Sequence, residues 1–414
     1  MEGRRPLRPW NRDARARIPP DPRNVKICDL TQFYSPVSGG VRRYVEQKVA
    51  YLRKHRPDCQ HVLVIPGEIT GSSGDDLARI YTIASPLVSR TSRYRALLKL
   101  HLVEEVLERE KPDIIESGDP YQLAWKAVAS GRGLDIPVVG FYHSHFPEAY
   151  IRSVAKYFGP LAIAMAEDMS RSYVKTLYNS LERTFVPSPV LADLLRQWGV
   201  ERVESIDLGV DTEVFYPTDT PSGPLRRALG IPEGRRLLLY VGRLASEKNV
   251  RTLFEACELL HRRQPGKYQL LAIGDGTLRS VLLRLQEETQ SVTWLQYCSE
   301  ATQLAAYYRA ADVFVHPGVQ ETFGLVTLES QACGTPVVGI RGSYMDRIIF
   351  SNQSNWAADN TPVSLANAIE SKFLTDLRQV GIEASLTARR LYSWQTVFDR
   401  LLAIYADVIT GYSK

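Results

Sequence analysis

Short apolar runs alternate with amphipathic helical patterns along nearly the whole chain, and this alternation constrains the fold more than any other feature. A first series starts at 25–30 and ends with strand-like segments at 184–187 and 202–206. A second series starts at 237–241 and leads to an apolar run at 312–316. Because alternating strands and helices pack as a parallel sheet with helices on both faces, each series predicts one doubly wound α/β domain.

A length of 414 residues suits two domains, each with its own core. We place their boundary near residue 211, which gives an N-terminal domain at 23–210 and a C-terminal domain at 211–390. A last amphipathic helix is predicted within 391–414. It carries four apolar residues on one side: Phe398, Leu401, Leu402 and Tyr405.

The first 22 residues form a basic tail in a chain whose net charge is only +5. Six arginines stand there among prolines: Arg4, Arg5, Arg8, Arg12, Arg15 and Arg17. No apolar segment follows them, so the pattern is neither a secretory signal nor a helix, and we expect a disordered tail. It is a solvated tail without a partner or, alternatively, one weakly attracted to anionic lipid or nucleic acid.

The five cysteines are scattered through mostly apolar segments and show no metal-binding spacing. An odd number of such thiols indicates reduced cysteines and a reducing, cytoplasmic compartment. The sequence has no apolar run of about 18 residues or more, so we expect no membrane span.

Two carboxylates stand in a stretch that runs from His316 to Pro336. Glu321 precedes a predicted helix at 323–333, and Glu329 falls on its inward-facing stripe. The unpaired NH groups at this helix start would suit phosphate or sugar oxygens. The structural alternative makes Glu321 an N-terminal helix acid and Glu329 a buried ion-pair partner.

This pattern of two glutamates separated by seven residues resembles the signature of retaining glycosyltransferases of family 4, which adopt the two-domain GT-B fold. The resemblance covers the chain from about Val25. It implies that Glu321 lies against the donor sugar and that Glu329 binds the ribose hydroxyls. It also implies that residues after about 390 cross back onto the N-terminal domain. The donor-binding residues expected in this stretch are Glu321, Thr322, Phe323, Gly324, Leu325 and Glu329.

Arg243 and Lys248 follow the predicted strand 237–241, where ligands bind at the carboxyl ends of parallel strands. Solvated loop charges would explain the two cations equally well from the residues alone. The resemblance implies that they neutralise the diphosphate leaving group.

Three further loops resemble donor-site segments of the family. Gly39 and Gly40 open the first helix, which resembles the glycine loop of the N-terminal domain. Tyr297 and Cys298 follow a later strand, where the family holds the nucleobase. The turn 274–276 lacks the full dinucleotide fingerprint, so we interpret it as a structural turn beside the donor cleft.

His143 ends the predicted strand 138–142, and it matches the active-site histidine of the family. His143 and His145 also have the spacing of two metal ligands, but no third ligand with fitting spacing is visible. The chain lacks the Asp-x-Asp pair of metal-dependent transferases. We therefore expect neither a metal nor another cofactor.

The predicted reaction moves a hexose from a nucleoside diphosphate sugar, a UDP- or GDP-sugar, to a hydroxyl acceptor. The resemblance implies retention of configuration, and it implies catalytic roles for His143, Arg243, Lys248 and Glu321. Residues 341–346 depart from the glycine pair and glutamate that the family has there, so sugar identity stays open. The alternatives are a nucleotide-sugar epimerase of the same fold and a non-enzymatic nucleotide-sugar-binding protein.

The segment 85–100 combines cations with Leu97, Leu98 and Leu100, which are expected to supply one apolar side, and the segment 150–178 adds further cations to aromatic and aliphatic residues. The cations of the first segment are Arg90, Arg93, Arg95 and Lys99. Basic amphipathic surfaces of this kind bind anionic membranes, although an ordinary helix with a solvated basic face has the same pattern. We hypothesise peripheral attachment to the inner face of the membrane, with a lipid or lipid-linked acceptor at His143. No nucleic-acid partner is expected.

Overall fold

This computed structural model describes residues 24–34, 40–88, 93–143, 160–319, 323–343 and 345–412. The arginine-rich tail lies outside them, so its predicted disorder stays a prediction. Five predicted site residues also lie outside: Gly39, Arg90, His145, Glu321 and Thr322. Among the described residues, no helix combines the length and apolar character needed to cross a membrane.

The first domain is built on an eight-stranded sheet in the order β3-β4-β2-β1-β5-β6-β7-β8. Its strands are β1 (Lys26–Leu30), β2 (Gln60–Gly67), β3 (Gly71–Gly74), β4 (Ala78–Ala84), β5 (Ile114–Ser117), β6 (Val138–Phe141), β7 (Arg183–Val186) and β8 (Val203–Ser205). All neighbours pair in parallel except β3, which is antiparallel to β4 at the edge. The sequence of β3 is Gly-Ser-Ser-Gly, which has no apolar alternation, and this explains why the pattern did not predict it.

Helices cover both faces of this sheet. They are α1 (Gly40–His55), α2 (Leu100–Glu110), α3 (Gln122–Leu134), α4 (Pro160–Asn179) and α5 (Pro189–Gln197). Helix α5 shows how the sequence sets a helix start: Pro189 stands in its first turn, and the Ser188 side chain accepts a hydrogen bond from the Leu191 NH.

The second domain has a five-stranded, fully parallel sheet in the order β11-β10-β9-β12-β13. Its strands are β9 (Arg236–Val241), β10 (Tyr268–Ile273), β11 (Val292–Leu295), β12 (Val313–Val315) and β13 (Val337–Val338). Its helices are α6 (Gly223–Ala228), α7 (Val250–Arg263), α8 (Arg279–Thr289), α9 (Ala301–Ala310), α10 (Leu325–Ala332), α11 (Pro362–Lys372) and α12 (Leu377–Tyr392), with 3-10 turns at Ser246–Lys248 and Gln353–Asn355. The buried apolar runs of β9 and β10 are typical of strands covered by helices on both faces.

The last helix, α13 (Trp394–Tyr412), packs against α1 of the first domain. Its Trp394 and Phe398 rings stack with centroids 5.0 Å apart, and Asp399 accepts a hydrogen bond from the Tyr51 hydroxyl. Tyr405 reaches the buried polar centre of the first domain, where Lys48 lies 3.2 Å from its hydroxyl.

Lys48 is fully buried, and its ammonium bonds to Asp29 at 2.9 Å and to Glu116 at 3.0 Å. Asp29 also lies 2.9 Å from the buried His61 ring. Burial acts to raise the pKa of the Asp29 carboxyl, but Lys48 and His61 hold that pKa at about 2. Two carboxylates on neighbouring strands are thereby paired inside the core, where an unpaired charge would be very costly.

Candidate active site

A cavity of about 570 Å³ lies between the two sheets, at the carboxyl ends of both sets of strands. Loops that follow β1, β5 and β6 line one side, and loops that follow β9 and β12 line the other. Parallel α/β sheets bind ligands at this edge. The cavity therefore brings together the strand ends that the sequence analysis singled out in each domain.

Arg243 and Lys248 both line the cavity on the side of the second domain. Arg243 forms an exposed ion pair with Glu247 at 2.8 Å. Lys248 ends a 3-10 turn, and Asn249 follows it with a left-handed φ of 55°. The Asn249 amide donates to the Pro317 carbonyl at 2.8 Å, so the loop that carries both cations is tied to the loop after β12.

The helix start at Gly324 supplies amides to the same cavity. Helix α10 begins at Leu325, two residues later than the sequence predicted, with Gly324 as its N-cap at φ 85°. The left-handed φ favours glycine at this position, and a Cβ at Gly324 would lie 2.2 Å from the Met345 methyl carbon, so the Met345 side chain would also have to move. Leu325 and Val326 line the cavity, and the NH groups of a first helical turn attract anions.

Met345 lies within 341–346, the segment that departs from the family pattern. Asp346 in this segment accepts backbone hydrogen bonds from Gly342 at 3.0 Å and from Ser343 at 3.1 Å. The Asp346 carboxylate therefore stabilises the loop in which it lies by bonding to the backbone of that loop. The same loop carries Met345, whose side chain lies beside Gly324.

Glu329 is buried on α10, as its position on the inward stripe predicted. One carboxylate oxygen accepts a hydrogen bond from the Tyr308 hydroxyl at 3.0 Å, and the other pairs with Arg43 of helix α1. Burial raises the pKa of the Glu329 carboxyl, although Arg43 acts against this. Glu329 is thus a buried ion-pair partner, as the structural alternative predicted, but the cation that pairs with it, Arg43, belongs to the opposite domain.

His143 lines the cavity on the side of the first domain. Its ring stacks on Phe141 with centroids 4.1 Å apart and meets Tyr44 edge-on at 5.1 Å. Burial, followed by the nearby Lys48 cation, lowers the pKa of His143 from 6.5 to about 3. The imidazole is therefore neutral near pH 7, and it offers one hydrogen-bond donor and one acceptor.

Aromatic rings cover the rest of this side. The Phe33 ring lies 5.2 Å from Tyr94 and 5.5 Å from Tyr121, both in edge-on geometry. Beside them, Asp119 accepts a hydrogen bond from the Gln32 NH at 2.8 Å, and burial raises the pKa of its carboxyl to about 7. None of these residues was predicted as a site residue, although Phe33 follows β1 closely and Asp119 and Tyr121 follow β5, and such positions at strand ends were the available signal.

A metal site is not apparent in the part of the chain that the structure describes, since no three His, Cys, Asp or Glu side chains are grouped to hold an ion there. Metal independence stays a prediction. Of the five cysteines, all are free thiols and four are buried.

Two family models match the chain. The model for "Glycosyltransferase Family 4" matches residues 38–214, and the model for "Glycosyl transferases group 1" matches residues 223–379. The chain belongs to glycosyltransferase family 4. The predicted family, the GT-B fold and the hexosyltransferase class are thereby confirmed.

Relatives of this family-4 glycosyltransferase match it over most of their length. A GDP-mannose-dependent alpha-mannosyltransferase of Corynebacterium glutamicum is 28% identical, and the match covers 94% of this chain and 90% of that protein. A GDP-mannose-dependent alpha-(1-6)-phosphatidylinositol dimannoside mannosyltransferase of Mycobacterium tuberculosis is 27% identical over 92% of this chain and 95% of that protein. Among solved structures, sucrose-phosphate synthase from Thermosynechococcus elongatus superposes with a TM-score of 0.72 at 20% identity, covering 94% of this chain and 100% of that one.

Other predicted donor-site loops of the glycosyltransferase lie at different distances from the cavity. Gly40 lines it, and a Cβ there would meet nothing within 4 Å. Tyr297 and Cys298 are not among its lining residues, and Tyr297 is largely exposed. At Gly274, with φ 145°, a Cβ would lie 1.9 Å from the Gly242 carbonyl oxygen. Gly274 therefore packs one loop on another, in keeping with a structural turn.

The basic segment of the glycosyltransferase is not an amphipathic helix in its described part, because α2 begins only at Leu100. Leu97 is fully buried whereas Leu98 is exposed, so the expectation that the leucines share one apolar side is wrong. Arg95 pairs with Glu68 at 2.6 Å and donates to the Ser85 carbonyl at 2.8 Å. Of the four predicted membrane-facing cations, Arg95 is thus engaged within the domain, and Arg93 and Lys99 are exposed.

Proposed function

We propose that this glycosyltransferase transfers a mannosyl group from GDP-mannose to a hydroxyl of a lipid-linked acceptor, with retention of configuration. One observation carries the proposal: Arg243, Lys248 and the amides of α10 line one side of a cavity whose other side holds His143 and aromatic rings. The choice of GDP-mannose is supported by two relatives that match over 90% or more of their length and are described as GDP-mannose-dependent.

The cationic side suits a leaving nucleoside diphosphate. As the bond from the anomeric carbon to the diphosphate oxygen breaks, negative charge grows on that oxygen, and fixed cations and amides stabilise it without reorganisation. Arg243 suits a bidentate phosphate contact, and Lys248 acts as a point charge. This step requires cations that are held in position before the bond breaks. The loop after β9 supplies Arg243 and Lys248, and Asn249 bonds this loop to the loop after β12.

The opposite side suits an acceptor that presents an uncharged hydroxyl group to the cavity. A neutral His143 can orient a sugar hydroxyl by a hydrogen bond, and aromatic rings pack against the apolar faces of sugar rings. In the proposed reaction the acceptor oxygen bonds to the anomeric carbon on the face that the diphosphate leaves. The acceptor proton passes to the departing phosphate oxygen, so no carboxylate nucleophile is needed.

A donor panel tests the proposal. Nucleotide release and new glycoside would be measured with GDP-mannose, GDP-glucose, UDP-glucose and UDP-galactose, with and without a phosphatidylinositol-containing lipid extract. We expect release from GDP-mannose that depends on the acceptor, gives an α-linked product and persists in a metal chelator. An epimeric nucleotide sugar without glycoside would replace the proposal by the epimerase alternative, and binding without release would indicate a non-enzymatic binding protein.

We further propose that the first domain attaches to anionic membrane surfaces. Exposed apolar side chains accompany the cations Arg93 and Lys99 there: Leu87, Val88 and Leu98 beside the basic segment, and Met165 and Met169 on α4. Cations near an anionic bilayer contribute about 1 kcal/mol each. The M. tuberculosis relative, whose name contains the lipid phosphatidylinositol dimannoside, supports a lipid-linked substrate.

Vesicle flotation tests the attachment. The protein should float with anionic vesicles at low salt but not with neutral ones, and the substitutions Arg93→Ala and Lys99→Ala together should weaken that binding roughly tenfold or more. Arg251→Ala with Arg284→Ala, two exposed arginines of the second domain, is the matched control. Equal flotation with neutral vesicles, or equal loss in the control, would contradict the proposal.

A further inference from the structure

Arg43 connects the two sides of the cavity. It stands in the first turn of α1 in the first domain, and its Nη1 pairs with Glu329 on α10 of the second. The Glu329 side chain is 3% exposed, and its second oxygen is held by Tyr308 at 3.0 Å. Because the carboxylate is fixed from two sides, it fixes the position of the guanidinium in turn.

The guanidinium of Arg43 still reaches the cavity. Its side chain is 38% exposed, and it lines the cavity together with Arg243 and Lys248. A guanidinium carries several N–H donors on two edges, so it can keep one bond to a carboxylate while it bonds to an anion. Glu329 raises the pKa of Arg43, so the side chain stays charged.

We propose that Arg43 is a third cation of the donor site, supplied by the acceptor domain and oriented toward the diphosphate by Glu329. This rests on the nucleoside diphosphate donor proposed above. The other two cations belong to the second domain, so an anion that bonds to all three ties the domains together. The diphosphate is then bound tightly only when the cleft is closed, that is, when the two domains contact each other as they do through Arg43 and Glu329 in this structure.

Isothermal titration of GDP and of guanosine into the full-length protein tests the contact. Arg43→Ala should weaken GDP binding roughly 10- to 100-fold, the range of one charge-assisted hydrogen-bond pair, and should change guanosine binding much less. Arg43→Lys should recover only part of the loss, because an ammonium lacks the planar fork. Arg42→Ala is the control, since Arg42 pairs with Glu46 of its own helix at 2.7 Å; it should bind GDP as the wild type does.

Two outcomes would overturn the proposal: GDP affinity in Arg43→Ala that equals or exceeds the wild-type value, or parallel losses for GDP and guanosine. The second would mean that Arg43 only supports the Glu329 position. If Arg43→Ala is unfolded at the assay temperature, GDP binding and guanosine binding are compared in Arg43→Gln instead. If wild-type protein binds neither GDP nor UDP, the proposed donor class itself fails, which distinguishes that failure from one confined to Arg43.

Small-angle scattering tests the tie between domains. GDP should reduce the radius of gyration of the wild type and of Arg42→Ala, and it should leave Arg43→Ala unchanged. Equal compaction of Arg43→Ala would overturn the idea that this residue couples the donor to closure.

Discussion

The two sides of the cavity differ in charge, and each suits a different reactant of the proposed transfer. The second-domain side presents Arg243, Lys248 and helix amides, whereas the first-domain side, apart from Arg43, presents a neutral His143 and the rings of Phe33 and Tyr121. A leaving diphosphate needs fixed positive charge, which any nucleotide sugar would use in the same way. An acceptor is recognised by shape and hydrogen bonds, so the aromatic side is where we expect specificity to reside.

The largest effect should come from the cationic side. Lys248→Ala and Arg243→Ala should each lower kcat roughly 100- to 1,000-fold, because each removes charge that stabilises the leaving group. Steady-state nucleotide release measures this. Arg251→Ala, an exposed cation on α7, serves as the control and should retain full turnover. If Lys248→Ala and Arg243→Ala both keep wild-type turnover, the leaving diphosphate does not lie on the second-domain side of the cavity.

His143 should give a smaller effect with a diagnostic pH profile. We expect His143→Ala to lower kcat/KM about 10- to 100-fold through loss of one positioned hydrogen bond, with GDP affinity little changed. Because the pKa of His143 is lowered to about 3, kcat/KM should show no ionisation of this residue between about pH 5 and about pH 8. An ionisation near pH 6.5 in the kcat/KM profile that disappears in His143→Ala would show that the pKa of the His143 imidazole is not lowered.

The same depressed pKa predicts how stability depends on pH. The unfolded chain binds a proton at this histidine at a higher pH than the folded chain does, so its contribution lowers the free energy of unfolding as pH falls from about 6.5 toward about 3. In urea unfolding, the free energy of unfolding of the wild type relative to that of His143→Gln should therefore fall as the pH is lowered across that range. Parallel curves of stability against pH across that range would contradict a neutral His143 ring with a lowered pKa.

The aromatic side should give the smallest effect on rate and the clearest separation of the two sides. Tyr94→Ala and Phe33→Ala should each raise the acceptor KM about 5- to 10-fold, equivalent to about 1 kcal/mol of ring contact, and leave the Kd of GDP unchanged. Trp125→Ala removes an exposed aromatic that does not line the cavity, and it should do neither. Weaker GDP binding in Tyr94→Ala would mean that the donor occupies both sides.

The sequence placed Arg243, Lys248 and His143 well because each follows a recognisable apolar strand, and strand ends in a parallel sheet share one edge. It could not place Arg43. A basic residue in the first turn of an amphipathic helix has the same pattern whether it faces solvent or a cleft, and its partner Glu329 is 286 residues away. Asp119 was missed for a related reason, since its pKa depends on burial by elements distant in sequence.

The start of a helix, and which side of a segment is buried, were less predictable from the sequence than the strand ends. The helix at Gly324 starts later than its apolar spacing suggests, because the left-handed φ of that glycine and its contact with Met345 end the loop there. In the basic segment, neighbouring Leu97 and Leu98 have opposite environments because the chain is irregular before Leu100. A helical period cannot describe such a segment.

The packing of α13 against α1 has a consequence for the order in which the protein is made. The first domain surrounds Lys48 with Asp29 and Glu116, but the hydroxyl that completes this centre belongs to Tyr405, near the end of the chain. During synthesis the second domain therefore has all its strands before the first has its last helix. The first domain is therefore translated before the second, but it can complete its buried polar centre only after α13 has been made and has packed against α1.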